Sequence, residues 1–223
     1  MSNIRRLILI TLLAVAFAYV ESAIVVYLRA IFFPDGFAFP LTVLNHLSTE
    51  GRRLLMTEIG REAATMVMLV CLAGLFGRTR REGLAFWLIM FGVWDIFYYV
   101  WLNVLDPGCP MWPMTWDVLF LIPVPWVAPV IAPVVVSLTM IGTGMLILFC
   151  EQRGLILRAR GFHWIGFGVG SLVIVWSFCR DYQRIVAGHP PGPFAWGLFW
   201  AGLLIAMITL AHVIYCNFRL EPS

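Results

Sequence analysis

The sequence predicts an all-α protein that crosses a bilayer about six times, and composition and segment length carry that expectation. Of 223 residues, 61% are hydrophobic and 12% charged. Soluble domains hold roughly 45–50% apolar and 25% charged residues, so a soluble core has no room for this much apolar surface. Apolar stretches of about 18 or more residues recur along the chain, enough to cross roughly 30 Å of hydrocarbon at about 1.5 Å per residue. They are roughly twice the length of a membrane-barrel strand and lack its alternation of polarity. A single transmembrane domain over 1–223 follows.

The first span is placed over 7–32. Arg5, Arg6, the run from Leu7 and the stretch Ala18-Tyr-Val-Glu-Ser-Ala23 mimic a secretory signal. The apolar run resumes over Ile24–Leu28 and stops at Arg29, which favours a retained span. Pro34-Asp-Gly36 marks an outer turn, and 41–55, carrying His46, Arg52 and Arg53, reads as an interfacial helix. Spans two and three fall over 56–77 and 83–104. Between 105 and 124 the prolines and glycine are too frequent for a span, so 111–124 is expected to be re-entrant or interfacial, with protein covering its backbone. The fourth span is placed over 125–149. Pro125, Pro129 and Pro133 would there share one face, and each would free the carbonyl four residues earlier, either for a ligand or to kink a sealed helix. Spans five and six fall over 162–180 and 194–217; Gly166 and Gly170 form a G-x-x-x-G close-packing face.

All fifteen basic residues besides histidine are arginines, and the net charge is +3. Nine of them (5, 6, 78, 80, 81, 153, 158, 160 and 219) fall at one set of span ends, against Arg52, Arg53, Arg61, Arg180 and Arg184 at the other. The positive-inside rule then puts both termini in the cytoplasm, and the grouping at span ends argues against a nucleic-acid partner. Five cysteines are scattered singly with no metal spacing, and only Cys109 and Cys179 share the outer side, where a disulfide between them is one option. Cys109, Met111 and Met114 sit amid Trp112 and Trp116 in what reads as an interfacial loop. Soft donors of this kind, with His46 or His189, suit copper(I). His163 and His212 read as isolated packing residues.

The informative pattern is one of depth. Measured from the cytoplasmic end of its own span, Glu21 lies roughly 21 Å in, Glu62 about 22 Å and Asp95 about 18 Å. Glu58 stands one turn from Glu62 on the same face, since i and i+4 differ by only about 40° around the axis. An ionised side chain facing lipid at mid-depth costs about 2.5–3.5 kcal/mol on insertion scales, so these groups should turn inward to a shared site. Several acids together cannot all stay ionised without cations to offset them, and Arg29 and Arg61 are the nearest. Glu21, Glu58, Glu62 and Asp95 are therefore the candidate proton- or cation-binding residues, with Arg29, Arg61, Tyr98, Tyr99 and Asp117 in support. Glu58, Glu62 and Asp95 are also the candidate ligands for a divalent cation. The alternative is that these groups only lock helices together by interhelical hydrogen bonds.

The strings Arg61-Glu-Ala-Ala, Trp94-Asp-Ile-Phe-Tyr-Tyr-Val-Trp101 and Trp116-Asp-Val-Leu-Phe-Leu-Ile-Pro-Val-Pro-Trp126 resemble those of an uncharacterised family of bacterial polytopic membrane proteins. The resemblance implies a multi-pass protein of the bacterial inner membrane and no particular chemistry. Glu58-Ile-Gly-Arg-Glu62 is an E-x-x-x-E on a membrane helix, similar to that of the undecaprenyl-pyrophosphate phosphatases; their P-G-x-S-R-S segment has no counterpart here.

Three functions are compatible with these features. A carrier would use the acidic layer for proton- or cation-linked handling of a small solute or lipid. A membrane enzyme would hold a divalent metal on the carboxylates and act on a lipid-borne substrate. A non-catalytic subunit would pair with other membrane proteins, or with copies of itself, and use the layer structurally. No Ser-His-Asp order, H-E-x-x-H or haem-type histidine pair is visible.

Overall fold

The computed structural model describes residues 3–41 and 48–218. Six helices in it are long and apolar enough to cross a membrane, and the chain is a multi-pass integral membrane protein. The first is α1 (Asn3–Phe32), at about 1.5 Å per residue longer than the hydrocarbon it must cross. α2 covers Thr49–Phe76 and α3 Arg80–Leu105. A β-hairpin follows, with β1 at Trp116–Phe120 and β2 at Trp126–Pro129. Then come α4 (Ile131–Gln152), α5 (Gly161–Cys179), the short α6 (Tyr182–Val186) and α7 (Trp196–Phe218).

Two expectations change in this architecture. The interfacial helix and the second span are one helix over their described part. Ser48 caps it by accepting the Gly51 N–H at 3.1 Å, and no proline interrupts the segment. The remainder of the expected interfacial piece, His46 included, lies outside the described residues.

The fourth span does not begin at Pro125. Trp116 to Pro129 turn back on themselves as an antiparallel hairpin in which Asp117 faces Ala128 and Val118 faces Val127, with an irregularity between Val118 and Phe120. Pro125 falls in the turn, Pro129 ends β2, and Pro133 sits in the first turn of α4, where a missing N–H costs nothing. The helix avoids the three proline defects by starting after two of them. Its first donors are met by the preceding loop instead: Val130 N–H donates to the Thr115 carbonyl at 2.9 Å and Ile131 N–H to the Pro113 carbonyl at 2.8 Å. Segment 111–124 therefore supplies an exposed loop at Trp112–Met114, then β1 and most of the hairpin turn, and pairing with β2 satisfies the backbone of β1.

The helices pack as two groups. α1 to α4 form one, with α3 central. A Cβ on Gly92 would lie 2.6 Å from the Ser137 carbonyl, and one on Gly144 would lie 2.6 Å from that of Ala85, so only glycine permits this α3–α4 approach. The other group is the pair α5 and α7, which meet at Gly170 and Gly202; a Cβ on either would come within 2.8 Å of the other's backbone oxygen. This is the close-packing face expected of Gly166 and Gly170. The two groups join at the hairpin end through Ala128, Ala132, Ile174, Phe178, Phe199 and Leu203. Towards the other end they diverge around an apolar cleft of about 850 Å³.

That other end is fastened by polar clasps. Arg6 of α1 donates to Glu82 of α3 at 2.7 and 2.9 Å and to the Phe76 carbonyl of α2 at 2.8 Å. Arg81 and Thr79 both donate to Glu151 at the end of α4. Membrane helices lack a hydrophobic force between them, so such bonds and close small-residue contacts hold the bundle.

Candidate functional site: an acidic cavity under the hairpin

At the hairpin end α1, α2, α3, the segment after α1 and the hairpin line a partly open cavity of about 140 Å³. Its polar lining comes from Glu21 and Arg29 of α1, Glu58, Arg61 and Glu62 of α2, Asp95, Tyr98 and Tyr99 of α3, and Asp117 of β1. Helical periodicity explains why they converge: 58, 61, 62 and 65 share one face of α2, and 94, 95, 98 and 99 one face of α3. Glu21, Glu58, Glu62, Arg29 and Asp117 are buried, while Asp95 is half-buried on the cavity wall.

The two arginines are fully engaged. Arg61 forks across its own helix to Glu58 at 2.9 and 2.5 Å and reaches Glu21 of α1 at 2.5 Å, with Thr65 at 3.4 Å. Arg29 donates to Asp117 of β1 at 3.1 Å and to Asp106, the cap of α3, at 3.2 Å, and its guanidinium lies 4.4 Å from the centre of the Phe37 ring. Tyr98 completes this clasp with a 3.3 Å bond to Asp117. Burial pushes the Asp117 carboxyl above the usual carboxylate range, while Arg29, the Val118 N–H and Tyr98 pull the other way.

Glu62 and Asp95 are held differently. Glu62 accepts the Leu121 N–H at 2.9 Å, and Asp95 accepts the Ser137 hydroxyl of α4 at 2.7 Å. Among the described residues neither forms a salt bridge. Trp94, which lines the same cavity, has a buried indole N–H with no partner among them.

This geometry does not supply the metal set expected of Glu58, Glu62 and Asp95. Glu58 turns to Arg61, Asp95 to Ser137 and Glu62 to the hairpin turn, so their oxygens point to different partners. Among the described residues the one compact group of metal-type side chains is elsewhere, at His163, His212 and Cys216. The outer-loop sulfur atoms also diverge: Met111 is buried against Tyr99 and Leu102, whereas Met114 is exposed. Cys109 and Cys179 are free thiols, Cys109 lying 3.7 Å from the Phe37 carbonyl, and burial pushes its thiol pKa up.

Sequence reasoning passed over Ser137, the polar contact of Asp95. Its only signal is a hydroxyl in a mostly apolar stretch of α4, where Thr139 offers another two residues on. It also separated His163 from His212, because nothing in their spacing says that α5 lies against α7. The chain matches no family model, and comparison with curated proteins and with solved structures gives no match.

Proposed function

We propose that this is a carrier-type protein of the bacterial inner membrane, whose outer-half cavity handles a small solute or lipid in exchange for protons or cations, with Glu62 and Asp95 as the exchanging groups. The observation that carries this reading is the unequal sharing of arginine. Arg61 and Arg29 each serve two carboxylates, and among the described residues Glu62 and Asp95 are left with neutral donors only. A membrane carboxyl without a fixed cation is the group able to trade a proton or cation for a passing solute. A purely structural layer would need only the two arginine clasps, which already tie α1 to α2, α3 and β1.

The inner-membrane placement rests on the likeness of the Trp94–Trp101 and Trp116–Trp126 strings to bacterial polytopic proteins. The cytoplasmic placement of both termini rests on the nine arginines at one set of span ends.

Infrared difference spectra of the protein in liposomes, recorded between acidic and alkaline pH, test the proposal. Carboxylic-acid carbonyl bands that disappear singly in Glu62→Gln and Asp95→Asn, and that shift on adding members of a panel of small solutes, are the expected result. Spectra with no such bands, or identical in both variants, would overturn it.

A further inference from the structure

At the end of the bundle away from the hairpin, α5 and α7 bring together three side chains that the cavity does not use. His163 lies in the first turn of α5 and is 1% exposed; His212 and Cys216 stand one turn apart on α7. His163 Nε2 is 3.0 Å from His212 Nδ1, and Cys216 Sγ is 3.8 Å from that same nitrogen. One ligand atom from each of the three lies within 4.8 Å of the other two.

We propose that His163, His212 and Cys216 form a binding site for a borderline-soft divalent cation, Zn²⁺ foremost. The separations carry the inference. Tetrahedral Zn²⁺, with bonds of about 2.0–2.1 Å to nitrogen and 2.3 Å to sulfur, needs ligand pairs roughly 3.3 Å apart for N–N and 3.6 Å for N–S. The two pairs through His212 Nδ1, at 3.0 and 3.8 Å, already fall within a few tenths of an ångström of these values. Sγ also lies 3.7 Å from His212 Nε2, beside the ring, so the Cys216 side chain has to turn towards Nδ1 to close the site. Two imidazoles and a thiolate suit zinc better than magnesium or calcium, which prefer oxygen. Three protein ligands leave the fourth position to water.

The protons place a condition on binding. The Arg160 N–H donates to His163 Nδ1 at 2.9 Å, so in the metal-free protein the ring proton sits on Nε2 and points at His212 Nδ1. A cation at Nε2 requires that proton to move to Nδ1, and the Arg160 N–H then loses its acceptor. Cys216 releases one proton to solvent on becoming a thiolate. Binding therefore exchanges a cap on the first turn of α5 for a metal bond, liberates one proton overall and crosslinks α5 to α7. The site shares no residue with the carboxylate cavity, so its test stands apart from the proposed transport.

The full-length protein, purified without a histidine tag, is titrated with Co²⁺ as a spectroscopic stand-in and then with Zn²⁺. One equivalent of Co²⁺ should give the intense visible bands of tetrahedral coordination and a near-ultraviolet thiolate charge-transfer band, both displaced by Zn²⁺. Cys216→Ser should abolish the charge-transfer band. Cys216→Ser and His212→Ala should each weaken Zn²⁺ binding by at least about tenfold, the loss that even outer-shell changes produce. His189→Ala, at the hairpin end, should change neither reading. Hydrogen exchange at the start of α5 should rise on metal loading as the Arg160 cap is released. A weak octahedral Co²⁺ spectrum, or tight binding that survives Cys216→Ser in a variant melting like wild type, would overturn the site.

Discussion

Glu62 of α2 accepts the backbone N–H of Leu121 at 2.9 Å, so a membrane-helix acid holds the turn of the hairpin. The bond needs an acceptor oxygen and no charge, which separates two substitutions. Glu62→Gln keeps an amide oxygen for Leu121 and should leave the melting temperature nearly unaltered while removing exchange at this position. Glu62→Ala strands the Leu121 N–H and should cost about 1–3 kcal/mol. Equal destabilisation in both variants, read by thermal unfolding in detergent, would show that Glu62 is needed for its charge in holding helices together.

Arg29 and Asp117 form the second clasp, and its dependence on pH has a definite sign. Burial raises the Asp117 carboxyl above its unfolded value even beside Arg29. A group shifted this way contributes stability that is complete below the unfolded carboxylate value and falls as pH rises through the folded one. Arg29→Met removes the opposing cation and should steepen that loss. We expect the smallest destabilisation at the acid end of the profile, where Asp117 is protonated, growing as pH rises towards about 3–5 kcal/mol, the cost of a buried charge without its partner. Adding Asp117→Asn to Arg29→Met should flatten the profile. Melting curves across the pH range decide, and a pH-independent loss would contradict the assignment.

Gly92 and Gly60 predict opposite outcomes for one methyl group. On Gly92 it would lie 2.6 Å from the Ser137 carbonyl, so Gly92→Ala should force α3 from α4 and cost about 1–3 kcal/mol. Because Ser137 also bonds Asp95, the Asp95 carbonyl band should move in the same variant. Nothing lies within 4 Å of a Cβ on Gly60, and Gly60→Ala should be neutral or stabilising by up to about 1 kcal/mol from helix propensity. Melting temperatures of the two variants, measured together, provide the check.

Topology is tested from outside the fold. A reporter fused after Ser223 should be active only in the cytoplasm, as the arginine distribution implies. Activity on the far side of the membrane would invert the protein and move the carboxylate cavity to the inner half.

Much of the candidate site is legible in the sequence. Depth along each span placed Glu21, Glu62 and Asp95 in one layer, because helix rise is constant and a bilayer aligns helix positions as a soluble core does not. Their inward orientation followed from the cost of presenting charge to lipid. The division of arginine was not readable. Helical spacing lets Arg61 reach Glu58, but only the approach of α1 brings Glu21 to its other side. The hairpin is not legible in the sequence because Pro125, Pro129 and Pro133 share helical spacing in an apolar run, and local pattern cannot tell a proline-rich helix start from a strand pair.

What the sequence determined by itself is therefore what solvent dictates: six apolar helices, their arginine-marked ends and a layer of acids that must avoid lipid. Those properties depend on composition and on the fixed rise of a helix, both local. The tertiary structure decided which acid meets which arginine, that Glu62 and Asp95 receive neutral donors, and that His163 lies against His212 across α5 and α7. Partner choice depends on helix rotation and approach, set here by close contacts such as Gly92 with Ser137 and Gly170 with Gly202. Those contacts join residues far apart in the chain, and no local pattern encodes which glycine meets which backbone.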